Sequence, residues 1–322
     1  MTLAPLLLTV ALGAQTLAIL HKGDSSLGFY TLEGKMLARV PVGQHPHEMV
    51  LSSDGRYLYT TDNGTMRIEQ AGTGGNTISI IDLAARKKVG EISLGNFRRP
   101  HGIDLDRAHN RLLVSTELPD QLLVIDPATR AVIKTLDTKG RTSHMVVVSR
   151  DGGWAYVSNS TSANVSAIDL GTGEVKLIPT GDRPEGSVLG RDGRFVYVCN
   201  REGARVTIID TEKNEAAGHI PAGRGPVRIG ITPDGSRLVW AAMHDSTVEI
   251  ADPVVRKVVA RIPVPAEAPL VSLHVSPDGT LAFTSAQDSD TVFVVSLADR
   301  KVVRQFRTTK GFAPDPVMAI GR

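Results

Sequence analysis

Sulfur, aromatic rings and surplus charge are all scarce in this sequence. One cysteine, Cys199, in 322 residues leaves no intramolecular disulfide, no Cys-x-x-Cys redox pair and no haem-attachment motif. Its place in the apolar stretch Phe195 to Cys199 marks it as a buried, inert thiol rather than a nucleophile. Aromatic residues make up 4% of the chain, and 36 Lys plus Arg nearly balance 34 Asp plus Glu, for a formal charge of +2. Neither stacking platforms nor a bulk positive field is therefore available, which argues against nucleic acid as a partner. Gly-x-Ser-x-Gly is missing, and so is a phosphate-binding glycine loop ahead of a helix, so a serine hydrolase of that type and a nucleotide-binding α/β enzyme are both excluded.

A hydrophobic run long enough to span a bilayer is also missing. The nearest approach is Met1 to Ala14, an apolar stretch without Lys or Arg that ends in small residues before Gln15. This pattern is that of a secretory signal, and predicts a periplasmic or secreted protein with no membrane span in the mature chain. The expected organisation is a signal peptide over 1–14 and one domain over 15–322.

What the sequence has in abundance is repetition, with a period near 40 residues. The turn Asp54-Gly55 recurs as Asp151-Gly152, Asp192-Gly193, Asp234-Gly235 and Asp278-Gly279, with His109-Asn110 in a degenerate copy. Asp-Gly between alternating apolar residues is a strong hairpin signal, because both residues tolerate the left-handed backbone of a tight turn. A β-rich strand follows each turn, as in Tyr57 to Thr61, Trp154 to Ser158 and Leu238 to Ala242. A third strand usually ends in Asp, as in Thr77 to Asp82 and Val206 to Asp210, and a fourth follows a short polar turn.

First strands begin near Pro46, Pro100, Thr142, Pro184, Pro226, Leu270 and Pro314, so the N-terminal part starts at the second strand of a blade and the C-terminal part supplies its first. Four strands repeated seven times without helical periodicity predict an all-β, seven-bladed propeller of antiparallel blades, closed by pairing of the N- and C-terminal strands. One blade departs from the period through the glycine-flanked insertion 63–75, which suits a mobile flap or a tolerated surface insertion.

The strand motifs Tyr197-Val198-Cys199-Asn200 and Tyr156-Val157-Ser158-Asn159, with the Pro-Asp-Gly turns and Ile-Asp third strands, resemble those of the YVTN-repeat β-propeller family. The resemblance covers nearly the whole chain after residue 14. It implies the propeller fold and leaves activity open, since related propellers include lactonases, lyases and metal-dependent oxidoreductases as well as proteins that only bind ligands or partners.

Counting seven residues back from each Asp-Gly turn, with an allowance of one for the degenerate His109-Asn110 turn, gives one column at the channel rim: His47, His101, His144, Glu185, Val227, Val271 and, on the closing strand, Asp315. Composition alone would place about 0.2 histidines in seven positions, and the column holds three. Neutral imidazoles with a carboxylate form a common donor set, so His47, His101 and His144 are expected to hold a single transition metal (zinc, copper or iron), with Glu185 as a fourth ligand or a catalytic general base. The alternative is that the imidazoles hydrogen-bond neighbouring backbone. Arg99, Arg141, Arg183 and Arg228, with Asp315, are candidates to bind a small anionic substrate, since guanidinium groups pair with carboxylates and phosphates. Two functions remain in play: a metal-assisted enzyme acting on a small anionic or oxygen-rich substrate, or a non-catalytic extracytoplasmic module recognising a protein or glycan. A monomer is expected in either case.

Overall fold

The computed structural model describes residues 15–320. The signal-peptide expectation for 1–14 lies outside the described residues. Seven four-stranded antiparallel sheets form the described chain. Blade 1 begins at the strand Pro46–Leu51, and blades 2 to 6 begin at Arg98–Asp106, Ser143–Val148, Pro184–Leu189, Pro226–Ile231 and His274–Val275. Blade 7 is composite. Its inner strand is Pro314–Ile320, and its other three are Thr16–His21, Ser26–Tyr30 and Met36–Pro41. The pairing Thr16↔Ile320, Leu17↔Ala319 and Ile19↔Val317 closes the ring as the repeat phase requires, so the inner edge of that sheet is not left unpaired.

Burial follows strand position. Second and third strands are covered on both faces by adjacent blades, so Tyr57–Asp62 and Thr77–Asp82 read as nearly continuous buried runs. Outermost strands alternate, as in Lys87–Ser93, because one face meets solvent. The core is a set of inter-blade clusters; Val239, Ile250, Phe293 and Val295, for example, pack between blades 5 and 6. Cys199 is fully buried there as expected, and burial holds its thiol well above the usual range.

Blade 6 is the exception. Its inner strand is two residues long rather than starting near Leu270. Side chains take over the missing ladder contacts: Thr284 Oγ1 donates to the Ser272 carbonyl, and the Ser272 and Ser285 hydroxyls bond each other. His274, in that short strand, has a buried Nε2 without a partner.

Candidate functional site

The rim column lies in a repeated β-bulge. In blade 1, Pro46 faces Asp62 and Met49 faces Thr60, so the inner strand advances three residues while its neighbour advances two. The same shift occurs at Pro100/Ile103, Ser143/Val146, Pro184/Ser187 and Pro226/Ile229. A bulge re-aims the side chains it contains. The residue pairs caught in these bulges are His47-Glu48, His101-Gly102, His144-Met145, Glu185-Gly186 and Val227-Arg228.

Hydroxyls on the second strands set the histidines relative to one another. Thr61 Oγ1 accepts from the bulged Glu48 amide at 3.0 Å and donates to the His101 carbonyl of the next blade at 2.8 Å. Ser115 Oγ repeats this, accepting from Gly102 N and donating to the His144 carbonyl. Blades 4 and 5 have Cys199 and Ala241 at the equivalent position, and the Ser158 hydroxyl of blade 3 has no partner. Among the described residues this stitch therefore links the three histidine blades. A Cβ on Gly102 would stand 2.5 Å from the His144 carbonyl oxygen, so glycine is required by the close approach of blade 3.

All three imidazoles are buried and touch in sequence. The His47 and His101 rings meet edge to face with centroids 4.5 Å apart, and His144 stacks on His101 at 3.7 Å. His47 Nε2 lies 2.7 Å from the Thr65 carbonyl oxygen. A carbonyl only accepts, so Nε2 carries the hydrogen and the lone pair sits on Nδ1. His101 Nδ1 donates to Glu117 Oε1 at 2.7 Å, which turns Nε2 toward His47 Nδ1, 3.4 Å away. His144 Nδ1 is buried without a partner. Burial, reinforced by the positive charge of Lys22 and by His101, keeps His47 well below its usual range; burial, then His101 and Arg228, does the same to His144. Both are neutral near pH 7. Among the described residues no three His, Cys, Asp or Glu side chains converge as a ready-made metal cage.

Around this wall lies a cavity of about 480 Å³. Glu185 Oε1 is 3.1 Å from Arg201 Nη1 but outside hydrogen-bonding angle, with Arg228 Nη1 3.8 Å from Oε2. Arg228 reaches across the channel to Glu48, donating from Nε at 3.0 Å and Nη2 at 2.7 Å. Burial opposes its charge, but Glu48, Asp315 and Glu185 outweigh that and hold the guanidinium above its usual pKa. Lys22 pairs with Asp315 at 3.2 Å, and Asp315 Oδ1 is left unpartnered. Three cations thus meet three carboxylates, leaving this inner set neutral overall.

The insertion 63–75 roofs the cavity. Arg67 Nη2 is 2.8 Å from Asp288 Oδ2 on blade 6, while Glu69 Oε1 is 2.5 Å from Arg183 and 3.1 Å from Arg201 on the side of blade 4. On its inner side, the Ile68 and Gln70 carbonyls accept from Arg99 at 3.0 and 3.1 Å, and Arg99 Nε forms a 2.7 Å ion pair with Glu117.

The sequence-predicted set is therefore divided. His47, His101, His144, Glu185, Arg228 and Asp315 line one cavity. Arg99 lies beneath the roof with both Nη groups bonded to it and its Nε beside Glu117 but without a hydrogen-bond partner, Arg183 clasps the roof from outside, and Arg141 is exposed away from the cavity lining. His45 bonds the Lys22 carbonyl and His109 sits among the lower turns beside Asp106. Asp62, Asn159 and Asn200, at the ends of second strands, bond the neighbouring loops or strand starts at Gly43, Asn164 and Gly181. Glu48, Lys22, Glu117 and Arg201 escaped the sequence reading. The last three share one signal: each stands one residue past the second-strand position that faces the inner-strand proline (Pro314, Pro100 and Pro184), a second ring of positions around the mouth.

No family model matches the sequence, and no curated protein matches it. Solved structures do. A functionally unknown protein from Desulfotomaculum acetoxidans superposes with a TM-score of 0.78 at 16% identity, over 95% of this chain and 99% of that one. Dihydro-heme d1 dehydrogenase NirN, in complex with DHE, gives 0.68 at 15% identity over 94% and 74% of the two chains. Hydrazine synthase from Kuenenia stuttgartiensis gives 0.66 at 19% identity over 78% and 76%. At these identities the likeness establishes the seven-bladed propeller fold.

Proposed function

We propose that this chain is an exported propeller of YVTN type whose channel mouth binds one transition metal ion through His47 and His101, with His144 as the third ligand, and uses it on a small anionic or oxygen-rich substrate. One observation carries the reading. Both His47 and His101 spend one ring nitrogen on an oxygen acceptor, Thr65 O or Glu117, and present the other nitrogen to the same point. Metal-binding histidines are oriented by such outer hydrogen bonds. Two nitrogens bound at about 2.05 Å to a tetrahedral ion stand roughly 3.3 Å apart, close to the 3.4 Å found between His47 Nδ1 and His101 Nε2. His144 contributes by turning its unpartnered Nδ1 off the His101 face.

The neutral inner set gives the metal a second role. With each cation already matched by a carboxylate, a divalent ion adds uncompensated positive charge in a buried place, and an anionic substrate offsets it. Anion affinity then comes from the ion more than from the arginines. Glu185 lines the same cavity, which supports a role as fourth ligand or general base. Two of the similar structures are, by name, a dihydro-heme d1 dehydrogenase and a hydrazine synthase, so enzymes are found among chains that contain a propeller of this shape.

Metal analysis of protein purified from native-like expression without chelator tests the reading. About one equivalent of transition metal is expected, and His101→Ala should lose most of it. Absence of metal in the wild type, or full content in His101→Ala, returns the protein to the alternative of a non-catalytic propeller for a protein or glycan. The specific observation favouring that alternative is that no three donors stand converged among the described residues.

A further inference from the structure

We infer that the loop 63–75 is a lid whose closure orients the two facing histidines, and that Arg99 and Glu117 are positioning residues that transmit lid closure to His101. The inference rests on His47 and His101 being the functional pair. Two chains of contact run from the lid to the two rings. The first is direct: the Thr65 carbonyl fixes the His47 tautomer. The second is relayed: the Ile68 and Gln70 carbonyls hold the Arg99 guanidinium, Arg99 pairs with Glu117 Oε2, and Glu117 Oε1 takes the His101 Nδ1 hydrogen. If the lid lifts, His47 loses its acceptor and Arg99 loses two, so both rings lose the restraints that point their free nitrogens at each other.

The lid is built to move on these terms. Its outer clasps are exposed, with side-chain exposures of 61% and 46% for Arg67 and Asp288 and 55% for Glu69. Exposed pairs hold weakly and yield to salt. Gly64 and Gly74, both at positive φ, flank the segment that carries the clasps, and a Cβ on Gly74 would strike the Arg99 side chain at 2.4 Å. Of the inner contacts, that of Thr65 with His47 is buried and those of Ile68 and Gln70 with Arg99 are half-buried, and all three depend on the lid being down. A ligand therefore enters while the histidines are unrestrained, and closure assembles the site around it.

Two measurements test this on the full chain. Ring-nitrogen NMR signals of 15N-histidine-labelled protein report the tautomers without any metal. In Arg67→Ala/Glu69→Ala, which removes the pairs with Asp288, Arg183 and Arg201 and leaves the Thr65, Ile68 and Gln70 carbonyls in place, the His47 and His101 signals should shift together toward mixed tautomers while His109, on the lower rim, stays unchanged. Arg99→Lys, which keeps the charge but cannot hold two carbonyls and Glu117 at once, should shift His101 more than His47. Co(II) loaded into the wild type should leave to a chelator about tenfold more slowly than from the clasp variant, and raised salt should narrow that gap. Unchanged ring signals in both variants overturn the coupling. If Co(II) does not bind the wild type but the ring signals shift as described, the metal reading fails and the lid coupling stands.

Discussion

The two rims of the propeller solve their structural problems in opposite ways. On the lower rim one local solution is used again and again. Ser52 Oγ donates to Asp54, Asp54 accepts from Arg56 N, and Tyr57 N donates back to Ser52 Oγ. The same three bonds recur at Ser149/Asp151, Thr232/Asp234 and Ser276/Asp278. On the upper mouth the backbone bulge repeats but the residues do not, and partners come from distant blades: Glu48 from blade 1 meets Arg228 from blade 5. The lower rim is a set of turns bonded mainly within themselves, with a few links between neighbours such as Arg191 Nε donating to the Thr232 carbonyl. The mouth is one coupled network in which a change at any member leaves a buried charge or donor behind. Specific chemistry is built where the repeat is broken.

That contrast predicts a graded series of effects. The largest belongs to Arg228→Met, which strands Glu48 and Glu185 in a buried place and should cost about 3 to 5 kcal/mol in chemical denaturation. Glu48→Leu combined with Arg228→Met should recover much of the loss. If the double variant is as unstable as the sum of the two single ones, the mouth is not coupled as described.

Acid should separate the rims next. At the mouth end of the strand Thr16–His21, burial lowers His21 to about 4 from 6.5. Between those values the unfolded chain binds a proton that the folded chain refuses, so stability is present above pH 6.5 and falls as pH drops toward 4, by roughly 3 kcal/mol. Asp62 and Asp104, raised by burial to about 6, act in the opposite sense between pH 6 and 3.8. Comparing wild type with His21→Gln at about pH 7 and about pH 4 isolates the histidine's share; the variant should show the flatter profile.

Gly102→Ala comes third, at about 1 to 3 kcal/mol, because blade 3 must retreat from the new methyl. The same variant should weaken Co(II) binding by moving His144, whereas Gly55→Ala, on the lower rim with open space around it, should cost only its backbone strain of roughly 1 kcal/mol and leave metal binding untouched. Equal effects on binding would erase the distinction between the rims.

The smallest effect is expected for Asp234→Asn. Its hydrogen bond from Thr232, followed by those from Ser236, lowers the carboxyl to about 2 from 3.8. The ionised form is favoured in the fold, so this contribution is present above pH 3.8 and lost as pH falls toward 2, below the range where His21 acts. The difference in melting midpoint between wild type and this variant should therefore stay constant from pH 6.5 to 4 and shrink below that; a difference that already changes between pH 6.5 and 4 would show that the lower turns are tied to the mouth after all.

The sequence by itself determined the blade count, the closure and the rim column, because each depends on interactions within a few residues or on a fixed repeat spacing. Asp-Gly turns announce themselves locally, strand alternation reflects which face meets solvent, and a constant offset from a turn places His47, His101, His144 and Glu185 at one height. Arg99 shows where that logic stops. Its position near the start of blade 2 was legible, but its partners Ile68 and Gln70 come from an insertion without repeat phase, and Glu117 from the end of the adjacent strand of its own sheet. Glu48 was equally invisible, being one residue from the column and dependent on the bulge to turn it toward Arg228, 180 residues away. Which nitrogen of each histidine is free, which arginine is spent on the protein and how the insertion crosses the mouth were decided by the tertiary structure. Hydrogen-bond direction and charge pairing act over a few ångströms in space, and ring closure brings together groups that lie far apart along the chain.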